Sequence, residues 1–309
     1  MLDFRPVTLS ERGMIEGYFF KWGEHSCQHS FMSVFGTQGK YGDKICEEGS
    51  FLYILRSKRC TAAERVYLFP SGDYSRKDEL RRAVLNVIDD AHSHSTAVRF
   101  DTITKNSWAI LQEILPGKFR GQPNRDYNEY IHSAANLASY PGSGFASRRY
   151  DYRTFFRHYG NRARIDFITP ETIPSLLEFQ KRWLSARIER GMHMKDALIE
   201  EDVADRRFLE HYAELGLSGI VMYIDGNIAG YAFGAPMYDG YYDVLVEKGD
   251  MNVQDIYCVL VRELVSRCCA GCQWINREED CGEEGMRKAK MSYRPDFFIE
   301  KVTAYEMTE

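Results

Sequence analysis

Five consecutive side chains that can carry charge or form hydrogen bonds, Asn276-Arg277-Glu278-Glu279-Asp280, follow directly on the apolar pair Trp274-Ile275. Two glycines, Gly282 and Gly285, come next, and then a basic run, Arg287-Lys288-Ala289-Lys290, that ends at Ser292-Tyr293. A carboxylate at the tip of a buried strand suits general-base work, because it can accept a proton from a ligand held at the sheet edge. Glu278 is therefore the candidate base. Glu247, at the end of the strand-like stretch YYDVLVEKG, is its competitor. If the two strands lie side by side and parallel, both sets of polar groups emerge at one edge, where open α/β sheets bind ligands. Strand alternation sends Asn276, Glu278 and Asp280 to one face and Arg277 and Glu279 to the other, so one pocket takes one set. The competing reading is a solvated network joining these carboxylates to Arg277, Arg287, Lys288 and Lys290, which contributes little.

A second constellation is RRYDYRTFFRHYGNRAR, which carries Arg148, Arg149, Arg153, Arg157, Arg162 and Arg164 against one carboxylate, Asp151. Arg149, Arg153 and Arg157 recur every four residues, so a helix presents them as one stripe while Tyr152, Phe155 and Phe156 face the core. Arginine grips phosphate bidentately, which makes a nucleotide, a tRNA end or a phospholipid head group the ligand to expect; a solvated face is the alternative. Glu283 and Glu284 open a helix whose dipole favours them, and Arg287 and Lys290 share a face of it at i, i+3 spacing.

These groups need elements to hold them. The chain has 309 residues, 44% hydrophobic and 28% charged, which describes a folded globular protein long enough for two domains. Its formal charge of −5 argues against a protein that coats nucleic acid through its overall field, so any anion contact is local. Eight cysteines with no secretion-type N-terminus read as reduced thiols in a cytoplasmic protein. Cys268, Cys269 and Cys272 lack the second ligand pair that zinc wants, so no metal is expected. No apolar run reaches bilayer length, so no transmembrane segment is expected either.

From Val66 onward, strands alternate with amphipathic helices: KDELRRAVLNVIDDA and NSWAILQEIL are helices, and AVRFDTI and DYNEYIHS are strands. The Pro/Gly/Ser stretch SYPGSGFASRR sets a domain boundary, giving domains over 1–142 and 143–309. In the second domain Thr169-Pro170-Glu171 opens a helix, another helix follows, and SGIVMYIDGNIAGYAFGAPM is a hairpin turning at Asp225-Gly226. The fold class expected is α/β, with a mixed sheet and helices on both faces.

The motif INREEDCGEEGMRKAKMSYRPDFFIEKVTAYE, with LVEKGD, YIDGNIAGYAFG and DYNEYIHSAANLASYPGSGFASRRYDYRTFF, resembles the phosphatidylglycerol lysyltransferase C-terminal-like family of bacterial proteins. The resemblance implies two tandem GNAT-like acyltransferase domains. It also implies transfer of an aminoacyl or acyl group from aminoacyl-tRNA or another phosphate-bearing donor to a small-molecule or lipid acceptor. It carries Glu247, Lys248, Asn276 to Asp280, Gly282, Gly285, Arg287 to Lys290, Ser292 and Tyr293 onto family positions. The family's Lys-Arg-Asn element falls on Ser147 to Tyr150 and is only partly kept. EKGDMNVQDIY lacks the glycines with which acetyl-CoA-using relatives hold a pyrophosphate, so acetyl-CoA is not supported and no cofactor is evident. The roles that follow are Glu278 or Glu247 as base, Arg148, Arg149 and Arg153 on the donor's phosphates, and Arg287 or Lys288 facing developing charge, with Asn276, Lys290 and Tyr293 beside them. The rival is a non-catalytic GNAT-like module that binds a nucleotide, an acidic metabolite or a partner protein.

Overall fold

A computed structural model describes residues 2–190 and 195–307. In chain order the first part contains β1 (Arg5–Pro6), α1 (Arg12–Trp22), α2 (Phe31–Gly36), α3 (Gln38–Tyr41), β2 (Asp43–Glu48), β3 (Phe51–Arg56) and β4 (Glu64–Tyr67). It continues with α4 (Lys77–Ser93), β5 (Ala97–Thr104), α5 (Lys105–Ile114), β6 (Phe119–Pro123) and β7 (Glu129–Ser133). Then come α6 (Ala134–Ser139), α7 (Ala146–Tyr159), β8 (Ala163–Phe167), α8 (Ile173–Glu189), α9 (Lys195–Glu210), β9 (Ser218–Ile224) and β10 (Asn227–Pro236). The chain closes with β11 (Tyr241–Gly249), α10 (Ile256–Cys268), β12 (Trp274–Asn276), α11 (Glu284–Met291), β13 (Phe297–Ile299) and β14 (Lys301–Glu306).

Two seven-stranded sheets result. The first runs β1-β2-β3-β4-β5-β14-β6 and the second β13-β7-β12-β11-β10-β9-β8. The first is antiparallel except for the pair β4 with β5, and the second contains the parallel pair β11 with β12. A parallel pair requires a crossover, and α4 and α10 supply it. α4 forms because Leu80, Val84, Val87, Ile88 and Ala91 recur at helical spacing and bury against the first sheet's core. α10 does the same with Val259, Leu260, Leu264 and Val265 in the second. The β9–β10 turn falls at Asp225-Gly226, both at positive φ (51° and 79°), the conformation a two-residue antiparallel turn requires. Thr169 opens α8's leading turn as expected, its N–H donating to Thr172 Oγ1 at 3.0 Å.

The mixed α/β class and the two similarly built sheets follow the sequence reading, but the partition of the chain does not. The compact units are 1–129 with 279–282 and 299–309, and 130–278 with 283–298. A cut at 142/143 misassigns β7, which pairs with β12 in the second sheet through Ile275↔His132, and β14, which pairs with β5 in the first through Val302↔Ile103. A Pro/Gly/Ser stretch reports a loop. It carries no information about which sheet a preceding strand joins.

β10 is bulged at Phe233/Gly234 opposite β11, and a β-carbon added at Gly234 would lie 1.9 Å from the Asp243 carbonyl oxygen. Backbone cannot yield to such a contact as a flexible side chain can. Gly234→Ala is expected to lower unfolding free energy by about 3 kcal/mol, read by urea denaturation; an unchanged midpoint would show that the bulge relaxes freely.

Candidate functional site

β11 and β12 share a parallel register only over Tyr241↔Trp274, Tyr242↔Ile275 and Asp243↔Asn276. Beyond that point β11 continues to Gly249 along β10, while β12 stops, so a wedge opens between them. The sequence of the β12 tip causes the stop. Buried Asn276 accepts the Glu278 N–H at its Oδ1 (2.8 Å), and Glu278 takes a left-handed backbone, φ 52°. An asparagine side chain that caps its own chain two residues on makes a turn and ends strand alternation. The expected division of Asn276, Glu278 and Asp280 from Arg277 and Glu279 by face therefore fails after Asn276. Hydrogen bonds to the β7 backbone, Arg277 N–H to Tyr130 O and Tyr130 N–H to Glu278 O, keep the turned segment against the sheet.

Arg277 reaches across the wedge to Glu247. Its Nε and Nη2 donate to Glu247 Oε1 and Oε2 at 3.1 and 2.7 Å, with the two side chains only 7% and 16% exposed. This is the desolvated, bidentate form of the pair, so the solvated-network reading does not describe these two residues. The guanidinium also lies over the Tyr293 ring at 4.4 Å, and Arg148 lies over the same ring at 5.3 Å. Burial disfavours a charged Arg277, but the Glu247 carboxylate outweighs it and holds the guanidinium pKa above its ordinary value. Burial, aided by Glu247, pushes the Tyr293 phenol up and keeps it neutral, although Arg277 and Arg148 act in the other direction.

The surroundings are built to hold these groups still. Tyr140 packs on Tyr293 and donates from its hydroxyl to the Cys258 carbonyl at 2.9 Å, and Cys258 Sγ donates to the Arg148 carbonyl at 3.2 Å. Arg148 pairs with Asp151 at 2.7 Å. Lys290, from the basic helix α11, donates to the Arg277 carbonyl at 2.6 Å. Two nitrogens of this assembly stay open: Arg277 Nη1 and Arg148 Nε are buried and have no hydrogen-bond partner among the described residues. The β11–β12 wedge thus holds a fixed cation with an unused donor.

Of the residues singled out from sequence, the structure brings together Glu247, Arg148, Lys290 and Tyr293. Asn276 shapes the turn, and Glu278 stands half-buried at its corner. Arg149 instead caps the preceding helix, donating to the Tyr140 and Gly142 carbonyls, while Arg153 is exposed on α7. Lys288 forms an exposed pair with Glu284 at 2.6 Å, and Arg287 is half-buried on the same helix. Asp280, counted with the strand tip, accepts the Gly282 N–H at 2.9 Å and pairs with Arg125 at 3.2 Å in the first unit. Sequence reasoning assigned Arg277 only a pairing role and passed over His132 and Tyr140. The one available signal for Arg277 was its position, an arginine directly after a buried strand.

The chain matches the family described as phosphatidylglycerol lysyltransferase, C-terminal, over residues 20–305. Among solved structures it is similar to a conserved protein of unknown function from Bacteroides thetaiotaomicron, at 27% identity over 99% of this chain and 100% of that one, TM-score 0.90. It is similar in fold to L-PGS from Bacillus licheniformis, at 16% identity over 96% and 92% of the two chains, TM-score 0.64. A tandem GNAT protein from the clavulanic acid biosynthesis pathway shares the fold at 11% identity over 100% and 99%, TM-score 0.51. A comparison with curated proteins found no match. No described helix is long and apolar enough to cross a membrane.

His132, on β7 beside Arg277, is fully buried, and among the described residues neither ring nitrogen closes a hydrogen bond, although the Tyr293 and Arg294 backbone lies against the ring. Burial, followed by the Arg277 charge, lowers its pKa to about 3. The unfolded chain takes up this proton near pH 6.5 and the folded chain does not, so stability rises with pH between about 3 and 6.5, by about 1.4 kcal/mol per unit, and is lost as the solution is acidified. His132→Leu is expected to flatten that part of the thermal-midpoint profile below pH 6.5; a variant with wild-type slope would remove His132 as its source.

Proposed function

The chain belongs to the phosphatidylglycerol lysyltransferase C-terminal family, and from that premise we propose that it transfers an aminoacyl or acyl group from an activated donor to an amine or hydroxyl acceptor in the β11–β12 wedge. The observation that carries the reading is the buried Arg277 with its Nη1 unpartnered. Acyl transfer places negative charge on the donor carbonyl oxygen as the acceptor adds, and a preorganised donor in a dry site stabilises that charge without reorganising. Glu247 fixes the guanidinium plane by engaging two of its nitrogens, and the Tyr293 ring fixes its height. With both oxygens so engaged, Glu247 is the weaker choice as base, so Glu278 takes the acceptor's proton. The acceptor nitrogen or oxygen bonds to the carbonyl carbon, the oxyanion collapses, and the ester bond to the leaving ribose hydroxyl breaks. The proton on Glu278 is the one that hydroxyl recovers.

Arg148 and Lys290, already in place around Tyr293 and Arg277, would meet phosphates of the donor, with Arg153 further along α7. Aminoacyl-tRNA is the donor this basic surface suits. Acetyl-CoA is disfavoured by the segment 247–257, whose single glycine, Gly249, does not make the glycine pair of a pyrophosphate-holding loop. A lipid head group is the acceptor class that the family name suggests, with a cell-wall precursor amine as the alternative. The rival is a binding module in which Arg277 holds an anion and no bond changes.

Lysyl-tRNA and phosphatidylglycerol vesicles, with radiolabelled lysine followed into the lipid fraction, test the reading. Arg277→Lys keeps a charge but loses the fork, and is expected to reduce kcat by about 100-fold or more. Glu278→Gln is expected to abolish transfer with the thermal midpoint intact. Turnover unchanged in Arg277→Lys would reject the role given to the wedge, and anion binding that depends on Arg277 without any transfer would favour the binding module.

A further inference from the structure

The wedge holds two open donors where a single oxyanion calls on one. Arg277 Nη1 and Arg148 Nε are both buried without a hydrogen-bond partner among the described residues. They come from different elements, Arg277 from the turn after β12 and Arg148 from α7, yet their guanidinium carbons lie over the same Tyr293 ring at 4.4 and 5.3 Å. One buried side chain, itself packed against Tyr140, therefore keeps both donors in one neighbourhood. Buried donors in native proteins are paired with few exceptions, so two exceptions around one ring call for a ligand that supplies acceptors.

The other nitrogens that touch carboxylates hold the two guanidiniums in place. Arg277 gives Nε and Nη2 to Glu247, and Arg148 gives Nη2 to Asp151 at 2.7 Å. Asp255 lies in the field of Asp151 and Arg148. On the cationic side Lys290 donates to the Arg277 carbonyl, while burial and the Arg277 charge keep His132 neutral. Three carboxylates thus stand against Arg277, Arg148 and Lys290, and what the site offers is two directed N–H groups with no excess of positive charge. A doubly charged ion is costly to bury there, whereas a planar monoanion with two oxygens on one carbon matches two donors. An acyl ester has the same pattern, a carbonyl and a bridging oxygen on one carbon. Arg148 is the outer group, its side chain 23% exposed against 7% for Arg277, so a ligand enters past Arg148.

We infer that the wedge binds a free monocarboxylate, the acid form of the acyl group, with one oxygen on Arg277 Nη1 and the other on Arg148 Nε. The choice of ligand builds on the acyl-transfer reading and gives Arg148 a contact with the acyl group itself. Isothermal titration calorimetry of the full chain with butyrate, butyramide and inorganic sulfate tests it without any transfer. Butyrate should bind saturably, and butyramide, which lacks the charge, and sulfate, which doubles it, each at least about tenfold more weakly. Arg148→Met leaves the Arg277–Glu247 pair intact and should weaken butyrate about tenfold. Arg277→Lys keeps the charge, loses the fork and should do the same. Lys181→Met, which removes an exposed cation on α8 of the same unit, should leave binding unchanged. No saturable heat up to about 50 mM butyrate, equal binding of butyramide or sulfate, or wild-type affinity in Arg148→Met would each overturn the inference. Butyrate binding in a chain inactive with lysyl-tRNA would reject acyl transfer and leave the inference standing, whereas transfer without butyrate binding would do the reverse.

Discussion

The bidentate contact between Arg277 and Glu247 sits where two parallel strands cease to share hydrogen bonds, and the arrangement of the wedge follows from it. A guanidinium at 7% exposure has lost most of its water, which is tolerable only with a carboxylate in register and further polar or aromatic partners. Glu247 supplies the first and the Tyr293 ring the second. That requirement fixes where β12 must stop, because Arg277 can cross the wedge only if the chain turns after Asn276. The Asn276 turn, the left-handed Glu278 and the Lys290 contact to the Arg277 carbonyl serve this one placement.

The first unit contains a comparable device put to a different end. Arg56, also fully buried, lies over the Tyr41 ring at 4.0 Å, but it has two carboxylates in reach, Asp101 at 3.3 Å and Asp43 at 3.8 Å. Arg56 Nε and Nη2, like Arg277 Nη1, are buried without a hydrogen-bond partner among the described residues, so the two sites differ in charge balance, two carboxylates around Arg56 against one at Arg277, and not in whether a donor is left over.

Much of the scaffold was legible in the chain because its signals are local. The period of α4, the Asp225-Gly226 turn and the polar tips of β11 and β12 each follow from residues within one element, and the parallel neighbours emerged at one edge as expected. β6 and β8 were not legible: Phe119–Pro123 has little apolar alternation, and Ala163–Phe167 lies at the end of the arginine-rich segment, where charge masks its pattern. The site was half legible. Glu247, Arg148, Lys290 and Tyr293 were named and do meet, but the group that organises them, Arg277, depends on a partner 30 residues away and on burial, neither of which spacing records. Arg149 illustrates the reverse error: its place in a regular stripe suggested a ligand, yet it serves the carbonyls that end α6.

In the two sheets the next-to-last position is filled by a strand from the other half of the chain, β14 in the first and β7 in the second. Val302 pairs with Ile103 across about 200 residues of intervening sequence, a loop whose closure is slow by its length. During synthesis the earlier sheet therefore waits, with β5 and β6 lacking their shared neighbour, until β14 has left the ribosome. A nascent chain with two unpaired strand flanks is a natural client for a chaperone.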